Sequence, residues 1–288
     1  MTDVLYDRTS ERRIAPDYKG DVLVWDIDKT YLDTRFSSWR GLLAIPFEWA
    51  VDKRAIPGAV PLLRALRRGP GERSTLVPLY FVSGSPREMR KVIERKMTID
   101  GVEFDGITFK DQLALAKQRN FAAIRKQVGY KLTALLLYRA EIPNAARWLM
   151  FGDDVEADAR VFLLFGEVCA GLRGEALESR LIEEGVERGD AGRILELSTH
   201  IDVTGDPVEK VFIHLASGHD PSSSTPRVIE TRSFLQTAMV LCTMGRIRPD
   251  AIASIAQDVR DRGGDVPALV ADSGLRLGVP PEIQTLVG

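Results

Sequence analysis

Two aspartates one residue apart stand near the start of the chain, directly after an apolar run. Asp26 and Asp28 follow residues 22–25, and Thr30 comes next. The apolar run predicts a buried strand of a parallel sheet, and ligands of such sheets bind at the carboxyl ends of the strands. One carboxylate can act as a nucleophile there, while a second protonates a leaving group and then deprotonates water. The alternative is an ordinary strand end with an aspartate that caps a turn or helix.

A second group of small polar residues follows the strand predicted over residues 76–82. Ser83 and Gly84 begin the stretch Ser-Gly-Ser-Pro, and a helix is predicted after it, with the proline near its first position. A serine hydroxyl, a glycine and the free N–H groups of a helix start can hold a phosphate group. A serine that only caps the helix is the alternative interpretation.

A cluster of acidic residues follows the strand predicted over residues 148–151. Asp153 and Asp154 come directly after Gly152, and Asp158 lies a few residues further on. Carboxylates at one strand end repel one another unless a cation lies among them, and a set of oxygen ligands suits Mg²⁺. A helix predicted over residues 155–165 offers the alternative, because one of these aspartates could cap it.

Lys131 stands between a polar helix predicted over residues 112–128 and a second helix predicted over residues 132–139. A cation in the first turn of a helix opposes the helix dipole, so this position indicates a nearby anion. A solvated lysine is the alternative.

The elements that must position these residues alternate between strand and helix. Further strands are predicted over residues 105–111 and 167–171. The alternation predicts an α/β fold with a doubly wound parallel sheet and right-handed crossovers. From about residue 174 the pattern becomes mainly helical, which predicts a catalytic core over 1–173 and a helical appendage over 174–288, packed on the core or on a second subunit.

Composition limits the function classes. The 288 residues are 44% hydrophobic and 28% charged, and 39 basic residues face 41 acidic ones. This balance argues against nucleic-acid binding, which usually requires a basic domain. The first twenty residues are polar and no apolar run reaches the length of a membrane span, so we expect a cytoplasmic protein. Cys169 and Cys242 are expected to be buried packing residues, and the three histidines have no metal-site spacing.

Taken together, the four motifs resemble those of the haloacid dehalogenase (HAD) superfamily, in the same order along residues 20–172. The stretch from Asp26 to Thr30 is similar to the DxDxT motif. Ser83 with the following residues 84–86 is similar to the second motif, Lys131 to the third, and the acidic group at 152–158 to the fourth. Within the superfamily, residues 83–86 and 129–132 resemble the phosphatidate phosphatase App1 catalytic domain and, more remotely, the lipins.

The resemblance implies a Rossmann-like core with a minimal cap and assigns a role to each motif. Asp26 would attack phosphorus and form an aspartyl-phosphate, and Asp28 would protonate the leaving oxygen and then activate water. Thr30 would help fix the loop. The resemblance further implies that phosphoryl oxygens would be held by Ser83, Gly84 and Lys131. It implies that Mg²⁺ would be held by Asp26, the Asp28 carbonyl, Asp153 and one of Asp154 or Asp158.

The implied function is a Mg²⁺-dependent phosphomonoesterase, acting on phosphatidate or another lipid phosphate. Asp28 favours phosphatase over dehalogenase, because carbon–halogen cleavage needs no protonation of an oxygen leaving group. A phosphatase of soluble sugar or nucleotide phosphates and a non-catalytic phospholipid-binding module are the alternatives. A basic predicted helix over residues 87–96 would attract an anionic membrane surface or simply be solvated.

Two departures from the superfamily pattern each allow more than one interpretation. Lys29 stands where many members have glycine, and it could lower the pKa of Asp26, bind substrate or point to solvent. Residues 31–55 could form a small lid or pack into the core. The aromatic residues of that segment are Phe36, Trp39, Phe47 and Trp49.

Overall fold

A computed structural model describes residues 6–10, 12–33, 54–110, 122–222 and 225–288. The strands of this part of the chain are β1 (Tyr6–Ser10), β2 (Asp21–Asp26), β3 (Leu79–Pro86), β4 (Gly106–Lys110), β5 (Arg147–Asp153), β6 (Val208–His214) and β7 (Val228–Thr231). They form one sheet in the order β1-β4-β3-β2-β5-β6-β7. All described pairings are parallel except that of the edge strand β1 with β4.

Helices cover both faces of the sheet. The described α-helices are α1 (Ala59–Arg68), α2 (Arg90–Ile99), α3 (Ala122–Glu141), α4 (Asp158–Cys169), α5 (Gly174–Glu183), α6 (Arg188–Thr199), α7 (Phe234–Thr243), α8 (Asp250–Asp261), α9 (Val266–Leu277) and α10 (Pro281–Gln284). Successive side chains of a strand point to opposite faces, so Trp25 and Val24 of β2 belong to different cores. The core around Trp25 includes residues of α1, α2, α7 and α8, and the core around Val24 includes residues of α3 to α6. The predicted doubly wound α/β fold is therefore confirmed.

Two strand predictions were wrong in their bounds or type. Strand β3 continues through Pro86, because Ser83 pairs with Phe109 and Pro86 with Lys110 across a register shift. Residues 83–86, which were predicted to follow the strand, therefore belong to it. A 3-10 turn over Arg87–Met89 separates it from α2. The strand predicted over 167–171 overlaps the end of helix α4. Periodicity alone cannot distinguish a short buried strand from a buried helix segment. The strand that pairs with β5 on this side is β6 instead.

The two helices predicted on either side of Lys131 are one continuous helix, α3, so the prediction of a first-turn lysine was wrong. Gly129, which lies between the two predicted helices, is inside it. A Cβ at this position would lie 2.8 Å from Asp190 Oδ2 and 2.9 Å from Val186 Cγ1. The glycine therefore lets α3 pack closely against the chain around the start of α6. Residues 112–121 of the predicted polar helix lie outside the described residues.

Residues 174–288 are mainly helical, as expected, and they also supply strands β6 and β7 of the same sheet. Helices α5 to α10 all lie in this range. The division at residue 173 into two domains stays a prediction.

Three smaller expectations concern membrane spans, cysteines and the aromatic segment. No helix among the described residues is long and apolar enough to cross a membrane. Cys169 and Cys242 are both buried free thiols, as predicted. The four aromatic residues between positions 36 and 49 lie outside the described residues.

Candidate active site

Two carboxylates meet at the carboxyl edge of the sheet because their strands are parallel neighbours. Asp26 is the last residue of β2 and Asp153 is the last residue of β5. Trp25, one residue before Asp26, pairs with Phe151, two residues before Asp153. Asp26 and Asp153 are each only 1% exposed. Asp158 stands at the start of α4 and is fully buried. The strand order thus brings together carboxylates that are far apart in sequence.

Lys131 connects these carboxylates. Its Nζ lies 2.8 Å from Asp26 Oδ1 and 2.6 Å from Glu156 Oε2, and it also contacts Asp158 Oδ1. The lysine is 1% exposed, so its charge is balanced by these side chains rather than by water. A buried ammonium is tolerated only when it is paired and hydrogen-bonded in this way.

Helix α3 presents two side chains to Glu156 from successive turns. Gln127 stands four residues before Lys131, on the same face of the helix. Its Nε2 donates to Glu156 Oε1 at 3.0 Å, while Lys131 donates to the other oxygen. Both oxygens of Glu156 are therefore held by the same helix.

Gly152 allows Asp158 to approach the end of β5. A Cβ at position 152 would lie 2.4 Å from Asp158 Oδ2 and 2.5 Å from its Cβ, which is closer than any real contact. The Asp153 N–H donates to Asp158 Oδ2 at 3.2 Å. Asp153 Oδ1 in turn accepts from the N–H groups of Val155 at 2.6 Å and Glu156 at 2.9 Å. The loop 152–158 is thus folded around its own carboxylates.

Asp28 has a different environment from Asp26. Its Oδ2 accepts a hydrogen bond from Ser85 Oγ at 2.7 Å and a longer one from Ser83 Oγ at 3.3 Å. The Ser85 N–H donates to Ser83 Oγ at 3.0 Å. These serines lie at the end of β3, the neighbour of β2 on the side away from β5. Hydroxyl donors therefore surround Asp28, whereas carboxylates and an ammonium surround Asp26.

The loop after β2 is tightly turned. The N–H groups of Tyr31 and Leu32 both donate to the Ile27 carbonyl at 2.9 Å. Lys29 adopts a φ of 61°, in the left-handed region that side chains other than glycine rarely occupy. Thr30 is fully buried, and its hydroxyl has no hydrogen-bond partner among the described residues. Such local strain is typical of functional loops.

The charges of the cluster act on one another because they are buried together. Burial raises the pKa of Asp26 well above its ordinary value; the Lys131 charge acts against this shift, and Asp158 and Glu156 add to it. Burial, reinforced by Asp158 and Glu156, raises the pKa of Asp153 to about 8. Burial alone would lower the pKa of Lys131, but the carboxylates around it raise that pKa well above its usual value. Lys131 is therefore positively charged, and the carboxylates around it compete for its hydrogen bonds.

The carboxylate cluster fits a hard divalent cation. Asp26, Asp153, Glu156 and Asp158 each offer an oxygen, and these atoms lie within 4.8 Å of one another. Asp26 Oδ2 and Asp153 Oδ2 are buried without a hydrogen-bond partner among the described residues. One lysine does not neutralise four carboxylates, and an all-oxygen donor set is the kind that Mg²⁺ prefers.

The cluster overlaps the ligand set expected from sequence and adds one member to it. It contains Asp26, Asp153 and Asp158 but not Asp154, which accepts from the Ser217 N–H at 2.9 Å and from the Ser217 hydroxyl in the loop after β6. The Asp28 side chain lies outside this group of four, and the ligand expected from this residue is its carbonyl, which stays a prediction. Glu156 is the member that sequence reasoning missed.

The phosphate-cradle residues also have partners. The Ser83 hydroxyl bonds to Asp28, and Ser85, not singled out in the sequence, makes the shorter bond to the same oxygen. Gly84 lies beside Gln127, since a Cβ there would be 3.2 Å from its Nε2. The end of β3 therefore connects Asp28 with the Gln127 side of the cluster.

Comparisons with known proteins give little beyond this geometry. No protein-family model and no curated protein matches the chain. A structure from Mesorhizobium loti, described provisionally as a HAD-like phosphatase, is 11% identical with a TM-score of 0.42, over 87% of this chain and 93% of that one. A chain from the Pnkp1/Rnl/Hen1 complex is 14% identical with a TM-score of 0.28, over 50% of this chain and 43% of that one. The residues of the site are therefore the basis for any function.

Proposed function

We propose that this chain is a phosphomonoesterase of the HAD type that uses Mg²⁺ and forms an aspartyl-phosphate on Asp26. The observation that carries the proposal is the convergence of Asp26, Lys131 and three further carboxylates at one edge of the sheet, with Asp28 held beside them by serines. Phosphoryl transfer depends mainly on positioning and on neutralisation of anionic charge, and this arrangement supports both.

Asp26 is proposed as the nucleophile. Its Oδ1 is engaged by Lys131, whereas its Oδ2 has no hydrogen-bond partner among the described residues and keeps its lone pairs available. Attack on phosphorus forms the bond from the carboxylate oxygen to phosphorus and breaks the bond from phosphorus to the ester oxygen. Water then attacks the phosphorus of the aspartyl-phosphate, releases phosphate and regenerates Asp26.

Asp28 is proposed as the acid that protonates the ester oxygen as it leaves, and then as the base that activates the water. It stands two residues after Asp26, so both carboxyl groups belong to the same strand end. The hydroxyl groups of Ser85 and Ser83 donate to its Oδ2 and fix the orientation of the carboxyl plane. A fixed orientation is what a group that moves a proton at a defined atom requires.

The cations of the site are proposed to neutralise the phosphoryl oxygens. Lys131 is held at the centre of the cluster and supplies one positive charge. Asp26, Asp153, Glu156 and Asp158 are the residues that would hold Mg²⁺, and bound Mg²⁺ would supply Lewis-acid stabilisation of the transferring group. The like charges of these acids would be relieved by such an ion.

The test of this proposal is hydrolysis of p-nitrophenyl phosphate with Mg²⁺ and with a chelator. We expect Mg²⁺-dependent turnover that Asp26→Asn lowers by about 10³-fold or more, because the amide keeps the shape but removes the nucleophile. Asp17→Asn, at an exposed position, is the matched control. Turnover that persists in Asp26→Asn would contradict the proposal.

The substrate class divides into lipid and soluble phosphates. The similarity to the App1 catalytic domain favours phosphatidate, and the basic segment 87–96 could meet a membrane surface. However, Arg90 pairs with Glu94 at 2.8 Å and Lys96 pairs with Asp100, so much of this charge is already balanced. Lys91 and Arg95 are the exposed cations of this helix that form no such pair in the described structure. We therefore place the soluble class first.

Vesicle sedimentation separates the two classes. A soluble-substrate enzyme stays in the supernatant with vesicles of phosphatidate and phosphatidylcholine, as it does with phosphatidylcholine alone. Sedimentation with phosphatidate vesicles that is lost in the double variant Lys91→Gln, Arg95→Gln would instead support the lipid substrate.

A further inference from the structure

A pocket borders the candidate site at the carboxyl edge of the sheet. Its described lining includes Lys29 from the loop after β2, His214 at the end of β6, and Arg262 directly after α8. Lys29 follows Asp28 in the chain, and β5, which carries Asp153, lies between β2 and β6. The pocket is therefore placed where the part of a substrate beyond its phosphoryl group would lie.

Cationic side chains are prominent in this pocket. Lys29 is partly exposed and Arg54 is exposed, and neither forms an ion pair or a side-chain hydrogen bond among the described residues. Arg262 also lines the pocket and is fixed, since it pairs with Asp258 at 3.2 Å and donates to the Ala55 carbonyl at 2.8 Å. Of the cations in the described lining, Lys29 and Arg54 thus keep their hydrogen-bond donors available to a ligand.

The acidic residues of the described lining do not occupy the hydrogen-bond donors of Lys29 and Arg54. Among the described lining residues, the acids are Asp33 and Asp261 and the cations are Lys29, Arg54 and Arg262. Asp261 accepts a hydrogen bond from Gln257 Nε2 at 2.6 Å. The N–H of Asp33 donates to the Arg54 carbonyl at 2.9 Å, which places the backbone of Arg54 beside the loop after β2.

His214 adds a neutral polar group to the same wall. Its Nδ1 is buried without a hydrogen-bond partner among the described residues, and its ring stacks on Phe234 at 5.0 Å. Burial lowers the pKa of His214 to about 4, so the ring is uncharged near neutral pH. An uncharged imidazole adds no charge to the pocket.

We propose that this pocket binds a second anionic group, carried by the leaving group of the substrate, through Lys29 and Arg54. The inference rests on the proposed phosphatase function, which would place the phosphoryl group at Asp26. The substrates it selects are soluble phosphomonoesters that also bear a carboxylate or a second phosphate. Arginine and lysine donors bind such groups by charge-assisted hydrogen bonds.

Two pairs of ligands that differ in one anionic group test the proposal. The first pair is 3-phosphoglycerate and glycerol 3-phosphate, and the second is fructose 1,6-bisphosphate and fructose 6-phosphate. Binding is measured by calorimetry on the Asp26→Asn protein with Mg²⁺, which prevents turnover during titration. We expect the more anionic member of at least one pair to bind about tenfold more tightly or better. The pair that shows the preference tells whether carboxylate or phosphate is recognised.

Variants assign the preference to the pocket. In the same background, Arg54→Gln and Lys29→Gln are each expected to remove most of the preference, whereas Arg95→Gln on α2 keeps it. Thermal unfolding checks that each variant folds. If one pocket variant fails to fold, the other still tests the proposal. Equal binding within both pairs, no binding at all, or a preference that survives both pocket variants would overturn the proposal.

The outcome is separable from that of the proposed function. Turnover of p-nitrophenyl phosphate by the wild-type chain, together with equal binding within both pairs, refutes the anion pocket and leaves the phosphatase standing. Preferential binding without any turnover refutes the phosphatase and leaves an anion-binding pocket.

Discussion

Asp153 and Asp154 are adjacent in the chain, but their carboxylates have different surroundings. Asp153 belongs to the buried cluster, whereas Asp154 is bound by Ser217. We predict that Asp153→Asn raises the Mg²⁺ concentration needed for half-maximal thermal stabilisation by at least about tenfold. Asp154→Asn is the matched control and changes this concentration little. Equal effects of both substitutions would contradict the assignment of the cluster as the Mg²⁺ site.

His214 makes stability depend on pH. Burial lowers its pKa to about 4 in the folded chain, below the ordinary value of 6.5, so the unfolded chain binds the extra proton first. Its contribution is fully present above pH 6.5 and is lost as the pH falls toward 4. The loss reaches up to about 3 kcal/mol.

The measurement is the free energy of unfolding from urea titrations at several pH values for the wild type and His214→Gln. The difference between the two proteins should change between pH 6.5 and 4, with the wild type losing more stability. A constant difference over this range would show that His214 is not held neutral by burial.

At the scale of the element, one glycine determines whether β5 and α4 can bring their carboxylates together. Because a Cβ at position 152 would collide with the Asp158 side chain, Gly152→Ala should destabilise the fold by about 1–3 kcal/mol and weaken the Mg²⁺ response. Gly192→Ala in α6 is the control, because no atom lies within 4 Å of its added Cβ, and it should stabilise the fold by about 0.5–1 kcal/mol. Urea unfolding of both variants checks this, and a neutral Gly152→Ala would be inconsistent with the close approach.

The same elements show what the sequence could and could not predict. Asp26 and Asp153 were found because parallel neighbouring strands place their carboxyl ends at one edge. Glu156 was missed because it lies in a loop between two elements, where no periodicity indicates direction, although it stands only two residues before Asp158. Lys131 was singled out for the wrong reason, since it lies inside α3 and is held there by the carboxylates themselves.

The remaining differences between the predicted and the observed elements result from tertiary contacts. The residues of β6 gain their strand conformation by pairing with β5, and the segment 167–171 ends a helix because its neighbours in α4 are buried on the sheet. Neither fact is local, so neither could be deduced from a short window of sequence.

At the scale of the whole molecule, residues after 173 complete the sheet and contribute to both of its cores. Phe151 of β5 stacks on Phe212 of β6 at 5.1 Å, and Trp25 of β2 stacks on Phe234 of α7 at 5.3 Å. The Gly58 N–H before α1 donates to Asp258 of α8 at 2.7 Å. The C-terminal range is therefore built into the part of the chain that carries the site.

We predict that a fragment of residues 1–173 does not fold cooperatively, because it would expose the edge of β5 and the core face that α7 and α8 cover. Circular dichroism during urea titration checks this, with the full chain as the control, which should unfold in one transition. A fragment that unfolds cooperatively would support an independent domain over 1–173.

The central claim, that Asp26 becomes phosphorylated during turnover, is tested most directly by chemical trapping. The enzyme is mixed with Mg²⁺ and p-nitrophenyl phosphate, quenched with acid during turnover and reduced with borohydride, which converts an aspartyl-phosphate to homoserine. Peptide mass spectrometry should then find homoserine at position 26, only when substrate and Mg²⁺ are both present. Turnover without homoserine at position 26, or with it at another aspartate, would contradict the account.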